Sequence, residues 1–125
     1  MIAFDASALL AYLYREQGWN RVAEFADEAC ISAVNLSEVL GKFVRDGHDP
    51  VEVLRRIEAT SLEIVPFGTQ QAALAAALVP TTSKHGLSLG DRACLALAAS
   101  RNIPALTADR AWAGLDIGVA IRLIR

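Results

Sequence analysis

With 125 residues, 54% of them hydrophobic, and a formal net charge of −2, the chain has material for one sizeable core and is no disordered tail. The balance of charge gives no global basic signal for nucleic acid. No apolar run reaches the roughly 18 residues that a membrane span needs, since the longest, AALAAALV, is stopped by Pro80. The opening MIAFDAS lacks the basic start and long apolar centre of a secretory signal. The expectation is therefore a single domain over residues 1–125, cytoplasmic and with no membrane partner.

Short strand-like runs alternate with longer helical ones. IAF before Asp5 reads as a strand, and ASALLAYLYRE after it has Leu9, Leu10 and Leu13 at helical spacing. A second helix, roughly Trp19 to Glu28, leads to the strand CISA. The helix VNLSEVLGKFVRDG follows and is closed by Gly47. After the turn GHDP a helix begins near Pro50; LEIVPF is a strand that its proline ends. TQQAALAAALV is helical, Pro80 to Gly86 is a loop, and LSLGDRACLALAAS is a helix apolar on every side, as a fully buried helix is. PALTAD and VAIRLI supply the last strands. The order β-α-α-β-α-α-β-α-α-β-β predicts an α/β fold, a mainly parallel sheet with helices on both faces. Cys30 and Cys94 lie in apolar stretches and read as core residues rather than a disulfide framework.

In open parallel sheets, sites form outside the carboxyl ends of the strands. Asp5 directly follows the first strand and Asp109 follows the strand ALT. Glu38 is expected in the first turn of the helix after CISA, and Asp91 in the first turn of the buried helix. Four carboxylates distant in sequence thus converge on one rim. Each also has a structural explanation. SLGD from Ser88 to Asp91 fits a capping box, and NLSE from Asn35 to Glu38 has a related form with asparagine as cap. Asp109 suits the N-cap of RAWAG, and Asp5 that of ASALLAY. Caps need not share a location, whereas four acids on one edge repel one another unless a cation sits among them. Capping and metal binding are compatible, because a carboxylate oriented by backbone N–H groups can turn its other oxygen to an ion.

Oxygen ligands without histidine or cysteine select Mg²⁺ or Mn²⁺ over Zn²⁺. His48, in the turn DGHDP, and His85, before the Asp91 helix, have no partner at zinc-site spacing and are expected in solvent. No phosphate-cradling glycine loop and no serine or cysteine with a dependable histidine is present. The chemistry that remains is metal-assisted attack of water on a phosphodiester. Ser7 and Thr107, each two residues from an acid, suit an outer-shell water or a phosphate oxygen, or serve only as turn and cap hydroxyls. Setting the four acids aside leaves 12 basic against 10 acidic residues. Arg92, Arg110 and Lys42, all close to an acid in sequence, either grip a nucleic-acid backbone or balance the carboxylates.

FDASALLA, SAVNLSEV, GLSLGDRACLALA and LTADRAW resemble, in that order, the signature blocks of PIN-domain ribonucleases, and more narrowly those of VapC toxins of type II toxin-antitoxin modules. The likeness runs nearly the whole chain. It implies a three-layer α/β/α sandwich, dependence on Mg²⁺ or Mn²⁺, cleavage of RNA, a homodimer, and a small VapB-type antitoxin that blocks the site. The matching acids are Asp5, Glu38, Asp91 and Asp109. Asp116 is a further acid that either assists or replaces Asp109, which is preferred because it lies at the strand end. Two other readings stand beside this one. A phosphatase of the haloacid dehalogenase type also begins with an aspartate after its first strand, but wants a second aspartate where this chain has Ser7. A non-catalytic protein-binding domain would use its acids only as caps, and would ignore EDTA.

Overall fold

The computed structural model describes residues 1–125. Five strands form one parallel sheet: β1 (Ile2–Phe4), β2 (Ala29–Ser32), β3 (Glu63–Val65), β4 (Ala105–Thr107) and β5 (Ile121–Leu123), in the spatial order β3-β2-β1-β4-β5. The chain starts at the centre, builds outward through β2 and β3, then returns to lay β4 on the free side of β1. The gap between β1 and β4 is thus the topological switch point, where the connections diverge and leave a crevice at the carboxyl ends of the strands.

Seven helices cover the sheet: α1 (Ala6–Tyr14), α2 (Trp19–Ala23), α3 (Ala33–Arg45), α4 (Pro50–Glu58), α5 (Thr69–Ala77), α6 (Val79–Thr82) and α7 (Leu89–Arg101). Alternation along the strands divides the core in two. Ile2, Phe4, Ile31 and Leu106 face a cluster built with residues of α1, α2, α3 and α4. Ala3, Cys30 and Ala105 face the other way, towards Cys94, Leu95, Leu97 and Ala98 of α7. The small side chains on that second face let an alanine-rich helix approach the backbone closely. α7 is buried continuously from Ala93 to Ala98, as its all-round apolarity predicts. Both cysteines are buried free thiols in this packing. No helix is long and apolar enough to cross a membrane.

Several element boundaries depart from expectation, three of them as follows. The second helix ends at Ala23, and Ala26–Glu28 form a separate 3-10 turn. β2 begins one residue early, at Ala29. The stretch from Pro80 to Gly86 is not a loop: Pro80 sits in the first turn of α6, where its missing N–H costs nothing, and a 3-10 turn, Ser83–His85, continues it.

Gly18 anchors the carboxyl-terminal segment. Its φ is +92°, and a Cβ there would stand 2.5 Å from the Ile124 carbonyl oxygen. Gly18→Ala should therefore cost at least about 1–3 kcal/mol, the scale of one left-handed residue forced on a side chain. A urea melt of the variant beside wild type checks this.

Candidate functional site

Asp5 leaves β1 in extended conformation and caps α1: its Oδ1 accepts from the Ala8 N–H at 2.8 Å and from Ser7 Oγ at 2.7 Å. Its Oδ2 accepts from Thr107 Oγ1 at 2.5 Å, across the β1/β4 switch point. The two hydroxyls are themselves oriented. Ser7 Oγ accepts from the Ala108 N–H at 2.9 Å and Thr107 Oγ1 from the Asp109 N–H at 3.0 Å, which turns both hydroxyl protons towards Asp5. Three donors favour the charged carboxylate, yet Asp5 is only 4% exposed. Burial prevails and pushes its pKa from 3.8 up to about 6; the hydrogen bonds from Thr107, Ser7 and Ala8 oppose the rise, and the charge of Asp91 adds to it.

Asp91 is the third residue of α7. Its Oδ2 accepts from the Ser88 N–H at 2.9 Å while Ser88 Oγ accepts from the Asp91 N–H at 3.2 Å, so the capping box is real. Glu38 lies in the second turn of α3, not the first. The hydroxyl of Ser32, rather than the side chain of Asn35, caps that helix by accepting from the Val34 N–H at 3.2 Å, and it does so three residues earlier. Freed from capping, Asn35 turns its Nδ2 to Glu38 Oε1 and to the Gly90 carbonyl, both at 2.9 Å. Its Oδ1, fully buried, has no partner. An unpaired buried acceptor costs about 1–3 kcal/mol. Asp109 caps the 3-10 turn Arg110–Gly114 through the Ala111 N–H at 2.9 Å, and fully buried Trp112 anchors that turn in the α7 core.

The Cys94 thiol is buried one turn beyond Asp91. Burial first, then the charge of Asp5, push it well above its ordinary value, and Cys30, Asp91 and Glu38 push the same way. Glu38 rests against Gly90 at the opening of α7, where Asp91 stands in the first turn. Asp109 joins Asp5 only through its N–H on Thr107, and its side chain is exposed. Each carboxylate is held by its local donors, and no three His, Cys, Asp or Glu side chains stand close enough to form a ready-made cage. Asp116 lies in the exposed loop between the 3-10 turn and β5.

No basic side chain neutralises the set. The five ion pairs join the amino terminus to Glu28, Lys42 to Asp46, Arg55 and Arg56 to Glu52, and Arg101 to Glu63. Lys42 is thereby committed elsewhere, and Arg92 donates to the Leu87 carbonyl at 2.9 Å. Arg110 is exposed. The oxygen donors of Asp5, Glu38, Asp91 and Asp109, negative and without histidine, suit a hard divalent cation. His48 instead packs edge-on to Phe43 with ring centroids 5.5 Å apart.

The main concavities lie elsewhere. A groove of about 520 Å³ is lined by Leu13, Phe43, His48 and residues of α4, and an adjoining one of about 280 Å³ shares Leu13 and Ile57 with it. Neither touches the four acids. Asn35 and Gly90 were not among the expected site residues. The spacing of Asn35 to Glu38 was visible, but it also fits a cap.

Residues 2–117 match the PIN domain family, and the chain belongs to it. Comparison of the sequence with curated proteins gives no match. Among solved structures, a toxin-antitoxin complex from Klebsiella pneumoniae superposes with a TM-score of 0.76 at 19% identity, over 100% of this chain and 98% of that one. A DNA-bound VapBC from Salmonella typhimurium gives 0.73 at 18%, over 99% and 98%. VapC20 of Mycobacterium tuberculosis, a toxin that cleaves the sarcin-ricin loop, gives 0.73 at 15%, over 96% and 99%. The fold is the one these toxins share.

Proposed function

We propose that the protein is the toxin of a VapBC-type module, a Mg²⁺- or Mn²⁺-dependent endoribonuclease acting in the cytoplasm. The observation that carries this reading is an oxygen-only set of carboxylates at the sheet's switch point that no lysine or arginine neutralises. Family membership and likeness to toxin structures support it. Asp5, Asp91, Glu38 and Asp109 hold the cation, which when bound lowers the pKa of a water and offsets charge on the phosphoryl oxygens. Ser7 and Thr107 hold Asp5 in place and, by donating to it, oppose the rise in its pKa that burial imposes. Arg110, exposed beside Asp109, and Arg92 supply contacts to the RNA backbone. The apolar groove beside Leu13 suits a VapB-type antitoxin segment, and a homodimer is the expected assembly.

Purified free of any antitoxin, the protein should cut cellular RNA with added Mg²⁺ or Mn²⁺ and stop in EDTA. Its expression alone should arrest growth, and Asp5→Asn should relieve the arrest. Equal arrest by that variant would reject the nuclease reading. One observation favours the rival binding domain: Asp5, Asp91 and Asp109 do cap helical turns. That domain would be indifferent to EDTA. For the phosphatase, the position that needs an acid holds Ser7, whose hydroxyl is engaged by Asp5.

A further inference from the structure

Gly90 has no conformational reason to be glycine. It is the second residue of α7, and its φ lies outside the left-handed region, so alanine would suit the helix better. The reason is spatial. A Cβ at Gly90 would run into the whole carboxyl group of Glu38, meeting Cδ at 2.6 Å and Oε2 at 2.7 Å, with Oε1 closer still. The carboxylate therefore rests directly on the backbone of α7, one residue before Asp91. Asn35 holds it there from the other side. Only 1% exposed, it spends both amide hydrogens on Glu38 Oε1 and the Gly90 carbonyl, and so ties α3, the carboxylate and α7 together. Its own oxygen is left without a partner.

We infer that Asn35 and Gly90 are positioning residues: they form a seat that presets the Glu38 carboxylate beside Asp91 before a divalent cation arrives. The inference rests on the proposed role of Glu38 and Asp91 in holding that cation. Neither Asn35 nor Gly90 need touch it. Adding one methyl group at Gly90 evicts the carboxylate while leaving Asp5, Asp91 and the capping box in place.

The test is a double-mutant cycle read by Mn²⁺ affinity, with free Mn²⁺ followed by electron paramagnetic resonance on full-length protein. Gly90→Ala in the wild-type background should weaken binding about 10- to 100-fold, the usual effect of losing a partner that orients a metal ligand. Asn35→Ala should do the same. In a Glu38→Ala background the seat is empty, so Gly90→Ala should leave Mn²⁺ affinity unchanged. It should also raise the metal-free melting temperature there. Unchanged affinity of Gly90→Ala in the wild-type background would overturn the seat and leave the metal reading standing. An equal loss in both backgrounds would overturn it too, by marking Gly90 as a residue of α7 packing alone. Absence of Mn²⁺ binding by wild type would remove the metal reading itself, and the seat with it.

Discussion

Asp91→Asn should slow metal-dependent RNA cleavage by at least about 10²-fold, the upper scale for losing a residue that merely orients a metal ligand, with little loss of fold. The separation is possible because of how Asp91 is held. Its Oδ2 accepts from the Ser88 N–H, and an asparagine oxygen can do the same, so the capping box survives the change. What is lost is the negative charge, which matters for a cation and little for a cap. Asp5→Asn should be as severe, since Asp5 stands at the centre of the Ser7 and Thr107 network. Single-turnover cleavage of one RNA, with circular dichroism of each variant, gives the comparison. An Asp91→Asn protein that cuts at the wild-type rate would leave Asp91 only its capping role.

The second large effect concerns stability and follows from the raised pKa of Asp5. The unfolded chain releases this proton near 3.8 and the folded chain near about 6. Between those values the folded state binds more protons than the unfolded one, so stability falls as pH rises through the window and stays lower above it. A shift of this size corresponds to about 3 kcal/mol. Asp46 and Glu63 work in the opposite sense. Tyr14 and Arg101, respectively, hold them below the ordinary range, so their contribution is present at neutral pH and lost in acid, but both pairs lie at the surface and count for little.

The clean measurement is therefore a difference of differences in EDTA. The stability of Asp5→Asn relative to wild type should be about 2.4 kcal/mol more favourable at pH 7.5 than near pH 4, whatever the exchange of hydrogen bonds costs at both. Saturating Mn²⁺ should shift the balance back towards wild type at pH 7.5. At a hundred times its dissociation constant a ligand adds about 2.7 kcal/mol to the protein that binds it and nothing to one that does not. A pH-independent difference between the two proteins would mean that Asp5 is not strained by its burial. A wild type indifferent to Mn²⁺ would mean that no cation relieves it.

Much of this was legible in the sequence because the signals are local. Short strand-like runs and helical spacing placed the strands and most helices, and the apolarity of residues 93–98 on every side foretold a helix with no solvent face. Asp5 and Asp109 could be placed at strand ends because a strand-end residue needs only its own strand to be recognised. Two local signals compete at two places in the chain. Ser32 and Asn35 are both good caps, and the choice between them shifted Glu38 by a turn. Pro80 read as a breaker, although a proline in a helix's first turn breaks nothing.

What the tertiary structure alone decided is how distant segments meet. No periodicity in the chain says that β4 returns to the open side of β1 after two other strands have been laid down on its far side. That pairing brings Thr107 to Asp5 across 102 positions of sequence and turns two unrelated strand ends into one network. The packing of α3 on α7 likewise gives Asn35 and Gly90 their meaning, since a glycine without positive φ and an asparagine inside a helix carry no local explanation. The sequence by itself determined which acids stand at the ends of elements, because capping and strand termination are short-range. Which of them share a field, and what holds each one still, depended on side chains supplied by other elements, a long-range property that only the folded packing expresses.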